Sequence, residues 1–133
     1  MKTYDPEEAP DPAEWLALDE SERVILVASF HRRAKIQRPD LQIHAAIHSV
    51  VENQLAEKLQ TVRETLERLR TEGLSRHDAI HAVGYVLVEY LNRLVRDKAS
   101  ATDVMESYFQ ELRALTAEGW LHSGGSGPVN ALR

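Results

Sequence analysis

The sequence predicts an all-α fold, a helical bundle of about four main helices with short connections and a short N-terminal helix. Ala, Leu, Glu and Arg are plentiful, whereas the 133 residues include only two Phe and two Trp, and this composition favours helix over sheet. No segment alternates apolar and polar residues for long enough to form a strand. Because the connections between the predicted helices are short, neighbouring helices should run antiparallel.

The chain divides into one helical domain and two flexible ends. Residues 1–11 are acidic and rich in proline, which predicts a flexible leader. Pro12 suits the first turn of a short helix with the sequence PAEWLAL. The single helical domain should span residues 12–122, and the SGGSGP composition predicts a flexible tail over residues 123–133.

The first half of the domain contains clear helix-start signals. Asp19, followed by Glu three residues later, forms an acidic capping box for a helix over about residues 20–36. Pro39 breaks the chain before a helix over about residues 40–58. Thr61, again followed by Glu, predicts the capping box of the next helix.

The second half of the domain contains similar helix start and stop signals. Gly73 should end the helix that begins near Thr61. Ser75 caps a helix over about residues 76–98, and the last helix should run over about residues 102–118 until Gly119 ends it.

Composition excludes several classes of function. The net charge of −5 disfavours nucleic acid as a partner, because counterion release rewards cationic surfaces. The longest apolar run, residues 24–28, is far too short to span a membrane. The N-terminus resembles neither a signal peptide nor a transit peptide, so we expect a cytoplasmic protein. The chain has no cysteine, so a metal site would use histidine, carboxylate, amide or water ligands. A homo-oligomer is left open.

Two segments carry histidines four residues apart on apolar helices. HAAIHSVVENQ, residues 44–54, and HDAIHAV, residues 77–83, place their histidines at the same edge of the apolar arc. The six histidines of the chain would produce roughly 0.3 such pairs by chance. Two matched pairs are therefore more than composition explains, although helical repeats of any origin would also produce them.

The spacing predicts a metal site. Residues i and i+4 lie one turn apart on one helix face, so two imidazoles there can bind one ion. We identify His44, His48, His77 and His81 as candidate ligands, with Glu52 as a fifth ligand or a base. Zn, Fe, Mn or Ni would suit these groups, and nothing indicates a nucleotide or organic cofactor. The alternative is a non-catalytic interaction module or homodimer with structural histidines at the edge of the core.

Five further polar residues bear on the predicted metal site. Gln54, Tyr85 and Glu89 could orient ligands from outside the first layer, although an inter-helix hydrogen bond explains Gln54 more simply. His31 lies in the basic stretch HRRAKIQR, which is typical of a helix C-terminus. His31 and His122 are therefore expected to be solvated.

Known metalloprotein motifs match only in part. Ala45 and Asp78 stand where the HExxH motif of zinc proteases has glutamate, which argues against that activity. No Glu-x-x-His pair of ferritin-like di-iron bundles is present. The His48-x-x-x-Glu52 spacing is similar to that of hemerythrin-like bundles, and HxxxH on a bundle helix resembles the DinB-like metal-dependent group.

A longer resemblance runs over roughly residues 11–95. The segments DPAEWLALDESER, HRRAKI, HAAIHSVVENQ, ETLERL and EGLSRHDAIHAV resemble an uncharacterised bacterial family of small helical proteins, a domain of unknown function. Its most specific parts are IHxxxENQ and RHxAIHxV. The resemblance implies the helical fold and the same histidines, and it implies no reaction. Whether the chain is an enzyme is therefore undecided by its sequence.

Overall fold

A computed structural model describes residues 1–34, 40–97 and 101–122 of the chain. Within those residues the secondary structure is entirely helical, as predicted. In chain order the helices are α1 (Pro12–Ala17), α2 (Glu20–Arg33), α3 (Leu41–Ala56), α4 (Gln60–Thr71), α5 (Arg76–Arg96), α6 (Ala101–Ala114) and α7 (Ala117–His122). Five of these have at least 12 residues, against the four or so that the sequence suggested. The predicted tail over residues 123–133 lies outside the described residues.

Local capping signals place most of the helix ends. Asp19 and Glu22 form both halves of the predicted capping box of α2. The Ser75 side chain accepts the Asp78 backbone N–H at the start of α5. Gly73, with a φ of 115°, follows the end of α4 in the left-handed conformation that glycine tolerates.

The capping box at Thr61 was predicted wrongly. Helix α4 begins at Gln60, and its N-cap Leu59 makes no side-chain capping bond. The expected partner, Glu64, instead accepts a 2.7 Å hydrogen bond from the Gln60 side chain one turn earlier. This i, i+4 pair competes with the capping geometry for the same carboxylate.

The last predicted helix is broken into α6 and α7, and Gly119 lies inside α7 instead of ending a helix. Side chains from α4 stabilise the break. Arg68 donates to the carbonyl oxygens of Leu115 at 2.6 Å and Leu112 at 3.0 Å, and Glu72 accepts the Ala117 N–H at 2.8 Å. These bonds satisfy backbone groups that a continuous helix would have paired internally.

Helix α3 is the central element, because it packs on α1, α2, α4 and α5. The larger apolar core lies among α3, α4, α5, α6 and α7. A smaller core joins the N-terminal segment, α1 and α2 to α3 through Tyr4, Trp15, Val27, Ala28 and Ala45. The two sides of α3 are thus both buried, which explains its short supply of charged residues.

The N-terminal segment is packed, whereas the sequence predicted a flexible leader. Tyr4 is only 2 % exposed, and its ring lies 5.6 Å from that of Trp15 and edge-on to Phe30. Arg33 donates to the Tyr4 carbonyl at 3.2 Å. A segment rich in proline and acidic residues can thus still be held in place by a buried aromatic anchor.

None of the described helices combines the length and the apolar character that crossing a membrane would need.

Candidate metal centre

Four buried histidines meet between α2, α3 and α5. His31, His44, His48 and His81 each offer one ring nitrogen, and these four atoms all lie within 4.8 Å of one another. The residues are 0 %, 1 %, 2 % and 6 % exposed, respectively. The two pairs predicted from the sequence therefore converge from α3 and α5, and three of their four members belong to this group.

The remaining histidine of the converging group, His31, was expected to be solvated, and that expectation is wrong. The last turn of α2 packs on α3, so the side chain that follows the apolar face of α2 is buried. A signal for this was present in the sequence. Val24, Val27, Ala28 and His31 follow the i, i+3, i+4, i+7 spacing of a core-facing stripe.

Hydrogen bonds fix the tautomer of His31. Its Nδ1 lies 2.8 Å from the Val27 carbonyl oxygen, which can only accept, so Nδ1 carries a proton and the neutral ring has its lone pair on Nε2. A backbone carbonyl on the distal nitrogen is a common support for a metal-binding histidine. The Nε2 atom lies 2.6 Å from Nε2 of His44. Two nitrogens bound to one tetrahedral zinc would lie about 3.3 Å apart, so binding would part these rings by roughly 0.7 Å.

His48 forms a hydrogen bond with Tyr4 of the N-terminal segment. The Tyr4 hydroxyl lies 2.8 Å from His48 Nε2 and also contacts Glu52 Oε2. The opposite ring nitrogen of His48, Nδ1, is buried and has no hydrogen-bond partner among the residues that the structure describes. Burial, reinforced by the neighbouring histidines, holds the pKa of His48 well below its ordinary 6.5. The ring is therefore neutral at physiological pH, as metal ligation requires.

Glu52 lies on the outer side of Tyr4, where it forms a buried ion pair. Arg76 donates to both carboxylate oxygens at 2.8 Å, and the side chains are 4 % and 1 % exposed. Arg76 also donates to the Pro6 carbonyl at 2.9 Å. Burial and the charge of Glu52 raise the pKa of Tyr4 well above 10, so the phenol keeps its proton.

His77 lies beside the four converging histidines. Its ring is 4.2 Å from the ring of His81 between centroids, and it stacks on His48 at 5.5 Å. It is partly exposed, unlike the other four, and its backbone N–H donates to Glu7 at 3.3 Å. The structure thus brings all four predicted histidines into one cluster, with His77 at its rim.

The three residues considered as supports for the ligands, Gln54, Tyr85 and Glu89, have other surroundings. Gln54 accepts a 2.8 Å hydrogen bond from the Tyr108 hydroxyl, which is the inter-helix bond considered as the simpler explanation. Tyr85 packs against the larger core. Glu89, partly buried, follows His81 by about two turns of α5. Sequence reasoning missed Tyr4, which contacts His48, and Arg76, which holds Glu52 beside Tyr4.

A small cavity of about 10 Å³ adjoins the cluster. Its lining residues are His44, Ile47, His48, Ile80, His81 and Gly84. That volume is about the size needed by a single water molecule.

No protein-family model, curated protein sequence or solved structure matches this chain significantly. Inference about its function therefore starts from the histidine cluster.

Proposed function

We propose that this chain is a metal-binding helical protein whose centre is formed by His31, His44, His48 and His81. The observation that carries the proposal is the convergence of four buried imidazole nitrogens within 4.8 Å. Burial of polar rings away from water is costly unless each ring finds a partner. One divalent cation would accept four lone pairs at once and would join α2, α3 and α5.

The ligand set favours a borderline first-row cation, with zinc as the first choice. Imidazole suits Zn, Cu, Fe and Ni, whereas Mn prefers carboxylate, carbonyl and water oxygen. Glu52 is engaged by Arg76 and Tyr4, so we assign it to the outer layer and no longer to the ligands. Among the four metals considered from the sequence, this makes Mn the poorest candidate.

The arrangement supports binding and stabilisation more than catalysis. Four protein ligands complete a tetrahedral site, whereas catalytic zinc sites keep one position open for water or substrate. The adjoining cavity of about 10 Å³ has no room for a substrate. We therefore propose a closed centre that stabilises the fold or stores the ion. Cytoplasmic location and membership of the resembling bacterial family remain predictions.

A second candidate function is the interaction module or homodimer with structural histidines. The specific observation in its favour is that Ile25 on α2 and Ile43 on α3 are 60 % and 65 % exposed, since a contact that covered them would remove apolar surface from water. Sedimentation of the metal-free and zinc-loaded protein would show whether a dimer exists and whether it needs the ion.

Metal analysis of protein purified without a histidine tag tests the main proposal. We expect one zinc per chain after saturation and dialysis, and none in His44→Ala. His122→Ala is the matched control, because His122 is exposed on α7, and it should bind as the wild type does. Circular dichroism establishes that each variant is helical. Wild-type protein that takes up no stoichiometric Zn, Cu, Fe or Ni contradicts the proposal.

A further inference from the structure

We infer that Tyr4 is a positioning residue for the metal centre, and that it sets His48 to bind the ion through Nδ1. Glu52 and Arg76 hold Tyr4 in this role. The part of the inference that concerns metal affinity rests on the proposed function, whereas the tautomer of His48 can be measured in metal-free protein.

The order of donors and acceptors determines the tautomer. The guanidinium of Arg76 can only donate, and both Glu52 oxygens accept from it at 2.8 Å. Glu52 Oε2 also accepts the single hydroxyl proton of Tyr4. The Tyr4 oxygen then has only lone pairs left for its 2.8 Å contact with His48. The proton in that contact must therefore belong to Nε2 of His48.

A neutral imidazole with its proton on Nε2 has its lone pair on Nδ1. Nδ1 of His48 is buried, and no residue in the described part of the chain gives it a hydrogen bond. A buried acceptor without a partner is costly, and a metal ion is one group that satisfies it. His31 shows the complementary choice, because its Nδ1 donates to Val27 and leaves Nε2 for the centre. The two histidines are thus held in opposite tautomers by different supports.

Burial makes the support specific. The side chains of Tyr4, His48, Glu52 and Arg76 are all nearly inaccessible, so in the intact fold they bond to one another and not to bulk water. Supporting hydrogen bonds of this kind on metal-bound histidines typically change metal affinity by about 10–100-fold.

The inference makes the N-terminal segment part of the metal centre. Tyr4 precedes His48 by 44 positions, and it is held in place by the Trp15 ring and by Arg33 on its carbonyl. Because coupling between two binding events is reciprocal, docking of Tyr4 should strengthen metal binding, and metal should protect the segment. Cleavage within residues 1–11 by a protease should therefore slow when zinc is bound.

Tyr4→Phe tests the inference, with Tyr108→Phe as the matched control. Both tyrosines are buried, at 2 % and 1 % exposure, and both donate one hydroxyl hydrogen bond, Tyr108 to Gln54 at 2.8 Å. Tyr108 lies in the larger core. Each variant should lose some stability, but only Tyr4→Phe removes the support of His48.

Two measurements test these variants, one of the His48 tautomer and one of zinc affinity. Long-range ¹H–¹⁵N spectra of the metal-free protein should show His48 with the proton on Nε2 in the wild type and in Tyr108→Phe, and a mixture of tautomers in Tyr4→Phe. Competition titration with a chromophoric chelator should show zinc bound about 10–100-fold more weakly by Tyr4→Phe, with Tyr108→Phe close to the wild type.

The outcomes separate this inference from the proposed function. A wild-type His48 with its proton on Nδ1, or equal zinc affinity in the two variants, overturns the role of Tyr4 and leaves the four-histidine site standing. A wild type that binds none of Zn, Cu, Fe and Ni overturns the proposed function and the ligand role of Nδ1. In that case the ring-nitrogen spectra still decide the order of the hydrogen bonds.

Discussion

Arg76→Met should destabilise the protein far more than loss of a surface arginine. Arg76 donates to both oxygens of Glu52 and to the Pro6 carbonyl. Methionine keeps most of the side-chain volume and removes these donors. The Glu52 carboxylate, 1 % exposed, would then remain buried with the Tyr4 hydroxyl as its remaining partner among the contacts seen here.

The expected loss is about 3–5 kcal/mol, the usual cost of removing one partner from a buried ion pair. Most of that cost is the uncompensated carboxylate and not the lost attraction. Adding Glu52→Gln to Arg76→Met removes the buried charge, so the double variant should be more stable than Arg76→Met alone. Urea unfolding followed by circular dichroism, with a chelator present to keep metal binding out of the comparison, measures both free energies of unfolding.

Arg96→Met is the control, because the Arg96–Asp97 pair is 68 % and 50 % exposed. Its free energy of unfolding should match that of the wild type. A loss below about 1 kcal/mol in Arg76→Met, or a double variant less stable than the single one, would refute the reasoning. Either result would mean that Glu52 finds other partners or reaches water once Arg76 is gone.

Three further predictions concern the metal, pH and a helix cap. Zinc at about 100 times its dissociation constant should raise the free energy of unfolding by about 2.7 kcal/mol, and His44→Ala should abolish the rise; an unchanged thermal melt of the wild type at saturating zinc would contradict this. The pKa of His48 is lowered in the fold, so below about pH 6.5 the unfolded chain binds a proton that the folded chain refuses. The free energy of unfolding of the metal-free protein should accordingly fall by up to about 1.4 kcal/mol per pH unit from this group as the pH falls below 6.5. Urea unfolding at pH 7.5 and 5.5 measures the difference, and equal free energies at the two pH values would contradict the burial of the ring. Ser75→Ala should cost about 1 kcal/mol by removing the N-cap of α5, measured by the same urea unfolding, and a wild-type value would show that the cap bond to Asp78 contributes nothing.

Local chemistry in the sequence was enough to predict the helices. The capping box of α2 needs only the residues from Asp19 to Glu22, and the N-cap of α5 needs only Ser75 and its neighbours. Short-range geometry therefore determines where both helices begin. The predicted last helix failed because a distant side chain intervened. Arg68 supports the break between α6 and α7 through backbone carbonyls 44 and 47 residues away, and no local signal records that contact.

The histidine pairs were predictable for the same reason. Spacing of four residues puts His44 and His48, or His77 and His81, on one face of a helix wherever that helix is placed. The sequence could therefore identify candidate ligands. It could not decide that α3 and α5 bring their faces together, or that His81 comes within 4.8 Å of the α3 nitrogens and His77 lies at the rim.

Tertiary packing alone decided the remaining parts of the site. His31 and Tyr4 reach the cluster from a helix end and an extended segment, and Arg76 binds Glu52 from the start of α5. Their contacts with α3 span 13, 44 and 24 residues, well beyond any helical period. Glu52 illustrates the same limit. Its position one turn after His48 suggested a ligand, whereas the fold places Arg76 against both of its carboxylate oxygens, which compensates the burial of the charge.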